Sequence, residues 1–272
     1  MNNFALRTLA GAGFVAVMLC GLLLSEYLFA AIVIFIMIVM MQEFYSMTMG
    51  RRNMAGRILA VSTGALAFIL LFLYQKQFIS ARLLALPLAG VVASLASALF
   101  SKDGGQVGDY AFIGTGLVYI ALPLSLSNFL VFDGGEFGGL LMLCFFILIW
   151  SSDVGAYVVG MAFGRGRRQL APEISPKKTV VGFFGGLVFA IAASAAIVFI
   201  MHYPWYHALA LAIIMNISGV AGDLFESLWK RRFGVKDSGS IIPGHGGLLD
   251  RFDSSLFAMP LGAIYLSTVG LL

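Results

Sequence analysis

An all-α polytopic integral membrane protein with about nine transmembrane helices is predicted by three observations. The 272-residue chain is 60% hydrophobic, with a mean hydropathy of +0.97. Its apolar stretches recur at lengths near the roughly 20 residues that a helix needs to cross hydrocarbon. Its lysines and arginines gather in alternate connections between those stretches, the pattern that marks cytoplasmic loops.

The predicted spans, in order, are 9–24, 27–47, 57–75, 82–100, 109–130, 138–162, 180–201, 204–227 and 254–271. The first follows a lone Arg7 and passes through Ser25 and Glu26 straight into the second, so it reads as a retained helix rather than a cleaved signal peptide. Cys20 and Cys144 lie inside apolar runs without disulfide or zinc spacing and read as packing residues. Only Lys76 and Arg82 of the 17 basic residues fall on the second face of this arrangement, which leaves 17 − 2 = 15 on the first. That asymmetry places the N-terminus in the cytoplasm, the C-terminus outside and the long basic loops at the cytoplasmic face. No repeat or linker divides the chain, so a single membrane domain over 1–272 is expected, with N-terminal helices in 1–130 followed by site-bearing helices and loops in 138–272. The net charge of +4 reflects topology and an anion site, since no basic face is interleaved with exposed aromatics; a nucleic-acid partner is excluded.

Charge is otherwise scarce, at 11% of residues, and it concentrates between Ser227 and Asp253 in SLWKRRFGVKDSGSIIPGHGGLLDRFD. The helix before this segment spaces Asn216, Gly219, Asp223, Glu226 or Ser227, and Lys230 by three or four, so they share one face. Carboxylates inside a span are costly and mark functional cavities. The plainer alternative is that Asp223 and Glu226 pair with Arg231 or Lys230. The metal reading assigns Mg²⁺ to Asp223, with Asp250 as a second carboxylate, because this hard cation is commonly held by one or two carboxylates plus substrate phosphates. Pro243, Gly244, Gly246 and Gly247 bracket His245 in backbone that cannot continue as helix and can approach a ligand closely. Amides of Gly246 and Gly247 then face phosphate; a tight turn before the last helix is the alternative. His245 is either a hydrogen-bonding or a catalytic residue.

The pattern Ser227, Lys230, Arg231, Lys236, Asp237, Gly239, Pro243, His245, Gly246, Gly247, Asp250, Arg251 and Asp253 resembles the signature of phosphatidate cytidylyltransferases, the CDP-diacylglycerol synthases. A second stretch resembles the same family, from Ser152 and Asp153 with Ala156 and Tyr157 to Ser175-Pro176-Lys177-Lys178-Thr179. Together they cover about the C-terminal half; the N-terminal spans are similar only in hydrophobicity and length. One departure is Val181, where the family pattern has an acidic residue before Gly182.

The resemblance implies that CTP and phosphatidate give CDP-diacylglycerol and pyrophosphate, within phospholipid biosynthesis and at the cytoplasmic membrane of a bacterium. It implies Asp223 and Asp250 as metal ligands, for Mg²⁺ with a second cation left open. Lys230, Arg231, Lys236 and Arg251 are the implied phosphate clamps, with Asp237, His245 and Asp253 completing the catalytic set. Lys177 and Lys178 reach the triphosphate from the neighbouring loop, and Asp153, Ser175, Thr179, Ser227, Gly246 and Gly247 join the substrate-binding set. Two other classes stay open: a related CTP-dependent lipid enzyme, such as a polyprenol kinase or archaeal-lipid cytidylyltransferase, and a secondary transporter using Asp153 and Asp223 as ion sites. Gly182, Gly185 and Gly186 permit close helix packing, within one chain or between two copies in a homodimer.

Overall fold

A computed structural model describes residues 3–100, 107–241 and 246–272. Helix dominates, as the apolar runs demand: a backbone in hydrocarbon satisfies its own hydrogen bonds only as helix or closed barrel. Among the described residues, six helical segments are long and apolar enough to cross a membrane: Glu26–Met49, Met54–Gln75, Gly108–Leu130, Leu140–Phe163, Val180–Met201 and Trp205–Arg232. Each coincides with a predicted span.

The fold divides into two compact units, Met1–Gly138 with Val235–Arg251, and Gly139–Gly234 with Phe252–Leu272. The first contains α1 (Asn3–Leu24), α2 (Glu26–Met49), α3 (Met54–Gln75), α4 (Leu86–Ala96), α5 (Val107–Gly116) and α6 (Leu122–Leu126). Its core gathers Phe29, Met37, Met40, Met41, Phe44 and Tyr45 of α2 against Phe68 of α3 and Ile113 of α5, all fully or almost fully buried. Gly116 gives Tyr45 its space: a Cβ there would lie 2.4 Å from the phenol oxygen, which donates to the Ile113 carbonyl at 3.1 Å. The predicted span 82–100 forms a 3₁₀ turn at Ala81–Ala85, the short α4 and another 3₁₀ turn at Ser97–Phe100. At 1.5 Å per residue, the 11 residues of α4 reach about 17 Å, short of the roughly 30 Å hydrocarbon layer. Between α5 and α6 the helix widens into a π turn at Leu117–Ala121.

After a two-residue β1–β2 hairpin (Phe132–Asp133 with Glu136–Phe137), the second unit begins with α7 (Leu140–Phe163). It continues through strands β3 (Gln169–Ala171) and β4 (Ser175–Thr179), then α8 (Val180–Ala193), α9 (Ala195–Met201) and α10 (Trp205–Arg232). Helix α11 (Leu249–Thr268) carries Asp250, Arg251 and Asp253 near its start; its first three residues belong to the first unit. Small residues weld α8 to α7. A Cβ on Gly185 would fall 2.4 Å from Val159, and one on Gly186 would fall 2.8 Å from the Ser152 carbonyl. The glycines that the sequence left open between intra- and intermolecular packing are therefore occupied within the chain.

Candidate active site

The polar stripe of α10 is formed as the spacing predicts. Asn216, Gly219, Glu226 and Ser227 are buried and Asp223 is half-buried. Asn216 accepts a 2.7 Å hydrogen bond from the Ser152 hydroxyl of α7, which joins two residues from the two polar stretches. Glu226, fully buried, holds the Lys230 ammonium one turn on at 2.6 Å. That pair matches half of the plainer alternative; Asp223 goes elsewhere.

Asp223 forms an ion pair with Lys178 of β4, and its other oxygen accepts from the Ser227 hydroxyl at 3.3 Å. The hairpin makes this possible. β3 and β4 pair antiparallel, with Gln169 opposite Thr179 and Ala171 opposite Ser175. Successive strand residues point to opposite faces, so Lys178 turns toward α10 while Lys177 is exposed. Arg231 fastens the same hairpin, its Nε donating to the Ile174 carbonyl at 3.3 Å. Thr179 then caps α8: its hydroxyl accepts from the Gly182 amide at 3.1 Å, one of the donors a helix start leaves without a partner. Val181 sits in that first turn, where an acidic side chain would serve the same amides.

Asp253, at the start of α11 and outside the six long apolar helices, shares this surrounding. Withdrawal from water, followed by the neighbouring Asp223 charge, pushes its carboxyl up to about 7; Asp153 adds to the rise and the Lys178 ammonium opposes it. Asp153, Asp223, Asp253 and Lys178 are thus electrostatic neighbours. Among the described residues no three acidic, imidazole or thiolate side chains converge as a preformed metal cage.

The other unit holds the rest of the charged segment. Asp250 Oδ2 receives three hydrogen bonds, from the Ser238 amide and hydroxyl at 2.9 Å each and from the Gly247 amide at 2.8 Å. The Gly247 amide, expected to face phosphate, is therefore engaged by protein. Gly246 has φ +82°, and a Cβ there would lie 2.7 Å from Asp250 Oδ2. Lys236, Asp237 and Arg251 are exposed. His245 lies outside the described residues.

Sequence reasoning missed Glu43 of α2. Its two oxygens accept from the Leu248 and Leu249 amides at 3.2 and 2.9 Å. The available signal was a single charged residue inside the otherwise uncharged run 27–47. In the same unit an apolar cavity of about 520 Å³ opens between α1 and α2, lined by Phe14, Met18, Ile32 and Ile36 with Ile241 and Leu248 of the charged segment.

With this geometry in place, comparison with known proteins is decisive. A family model described as the cytidylyltransferase family matches residues 5–269. The chain belongs to the cytidylyltransferase family. A phosphatidate cytidylyltransferase of Staphylococcus haemolyticus is 37% identical over 203 residues, 72% of this chain and 75% of its own. One from Bacillus subtilis is 49% identical over 116 residues, 42% of either chain, and one from Staphylococcus aureus is 38% identical over 170 residues, 61% of this chain and 63% of its own. The cytidylyltransferase match extends through the N-terminal helices, so Glu43 lies within it as surely as Asp223.

Proposed function

We propose that this chain transfers the cytidylyl group of CTP to phosphatidate, forming CDP-diacylglycerol and releasing pyrophosphate. The Lys178–Asp223 pair carries the reading, because it joins the lysine-bearing hairpin to a carboxylate near the end of a membrane helix. A phosphate oxygen of phosphatidate attacks the α-phosphorus of CTP, and the bond to the β-phosphate oxygen breaks. That nucleophile has a second pKa near ~6, so at neutral pH it is ionised without an enzyme base. The chain's tasks are charge neutralisation and in-line positioning. Lys177, Arg231, Lys236 and Arg251 are exposed cations suited to phosphate oxygens, whereas Lys230 is anchored on Glu226.

The nearness of Asp223 and Asp253 supports a hard cation there. Mg²⁺ suits such a site because it keeps waters and takes phosphate oxygens rather than requiring an all-protein cage. When bound, it supplies Lewis-acid neutralisation of the phosphates. Asp223 is the carboxylate proposed to hold it, with Lys178 released toward the triphosphate. Asp250 is the second carboxylate implied by the resemblance, and its part in metal binding rests on that resemblance, since its Oδ2 already serves three donors of its own unit. The positive-inside asymmetry supports a cytoplasmic N-terminus, an outward C-terminus and a site at the cytoplasmic face of a bacterial inner membrane. The apolar cavity beside Leu248 supports a substrate whose tails stay in hydrocarbon.

Purified protein with radiolabelled CTP, Mg²⁺ and phosphatidate tests the reaction. Label should enter a lipid with release of pyrophosphate. Label entering polyprenol or an ether lipid but not diacyl phosphatidate would replace this substrate assignment, and no labelled lipid at all would overturn the reading.

A further inference from the structure

The start of α11 presents a physical problem that Glu43 solves. A helix leaves its first amides without internal partners, and negative charge is favoured beside them. Here the Gly247 amide is satisfied by Asp250 at 2.8 Å, a local contact. The Leu248 and Leu249 amides are satisfied by Glu43, 205 and 206 residues away, through both carboxylate oxygens. Ser238 lies beside the Glu43 carboxylate and donates its hydroxyl to Asp250 at 2.9 Å, so it stands between the two acids.

The same approach explains two glycines. A Cβ on Gly239 would fall 2.2 Å from Glu43 Oε1, and one on Gly247 would fall 2.6 Å from Oε2. The backbone at Gly239 and at Gly247 is thus pressed onto one side chain of α2. A carboxylate in an apolar helix is costly, and a structural cap from a nearby Ser or Asp would serve the amides as well.

We propose that Glu43 is a positioning residue for nucleotidyl transfer: it fixes the 235–241 and 246–251 segments, and with them Lys236, Asp250 and Arg251, from outside the recognised signature. This inference rests on the proposed reaction, and its test separates the two. In the full-length protein in lipid nanodiscs, the variants Glu43→Gln, Glu43→Ala, Gly239→Ala and Glu43→Ala/Gly239→Ala are compared for kcat, KM for CTP, unfolding midpoint and tryptic cleavage after Lys236. Losing a partner that orients a reactive group typically costs about 10–100-fold.

Glu43→Gln should lower kcat by about that factor, with KM for CTP within about threefold of the parent value and cleavage after Lys236 accelerated at an unchanged midpoint. Gly239→Ala should impair the parent but add little in the Glu43→Ala background, since the clash is then gone. A parental kcat in Glu43→Gln, or additive effects of Gly239→Ala and Glu43→Ala, would overturn the assignment. If the parent makes no labelled lipid, the reaction fails instead; parental cleavage kinetics in Glu43→Gln would then reject the positioning role by themselves, and accelerated cleavage would uphold it.

Discussion

Replacing Asp223 with Asn separates a structural ion pair from a catalytic one, because the two roles differ in magnitude. The side chain keeps its shape, and the amide oxygen still accepts the 3.3 Å bond from Ser227. What is lost is the negative charge facing Lys178. The two side chains are 27% and 30% exposed, so solvent screens the pair and its loss costs about 1 kcal/mol of stability. A group that organises charge at the reacting phosphates is worth more: removing one such contact costs about 10²–10³-fold in rate, or about 3–4 kcal/mol. Initial rates of labelled lipid formation, normalised to folded protein and set beside the unfolding midpoint, read both quantities. Asp223→Asn should shift the midpoint slightly and reduce the rate at least about 100-fold. A rate within about threefold of the parent, or a loss that follows only the folded fraction, would return Asp223 to the role of a surface ion pair.

Other consequences are as specific. Lys230→Met removes the ammonium held 2.6 Å from the fully buried Glu226 and should destabilise the fold by about 3–5 kcal/mol, whereas Lys230→Met/Glu226→Leu should recover much of that in thermal or SDS unfolding. Gly185→Ala should cost about 1–3 kcal/mol through overpacking against Val159, while Gly114→Ala, with nothing within 4 Å of its Cβ, should be neutral or gain up to about 1 kcal/mol. Thr179→Ala should cost about 1 kcal/mol by uncapping α8, and Val181→Asp should restore part of it with unchanged KM for CTP, measured by unfolding and steady-state kinetics.

How much of this was legible in the sequence depends on the range over which each residue acts. The α10 stripe was readable because a helix imposes a period of 3.6, so Asn216, Asp223 and Lys230 reveal a shared face without any knowledge of the fold. The Lys230–Glu226 pair was readable for the same reason, being separated by one turn. The partner of Asp223 was not, although both ends were singled out: Lys178 lies 45 residues earlier, on a two-strand hairpin too short to show an alternating pattern. Apolar composition likewise could not separate one long helix over 82–100 from a short helix between two 3₁₀ turns, since each buries the same residue types in lipid.

Glu43 lies at the far end of that scale. A lone carboxylate in an apolar run announces a cost, and the cost implies a compensating partner, but nothing in the run says which. The partner proved to be backbone amides more than 200 residues away, groups that every residue but proline carries and that leave no mark in a sequence. Gly239 and Gly247 did leave one, since they occupy the positions where Glu43 approaches. In the sequence Gly247 reads as backbone that can approach a ligand closely, and Gly239 only as part of the family pattern, yet here the missing Cβ of each matters for the space it leaves to a side chain. In a chain this apolar, an isolated charge and a distant pair of glycines are therefore two halves of one observation, and each is interpretable only once the other is placed beside it.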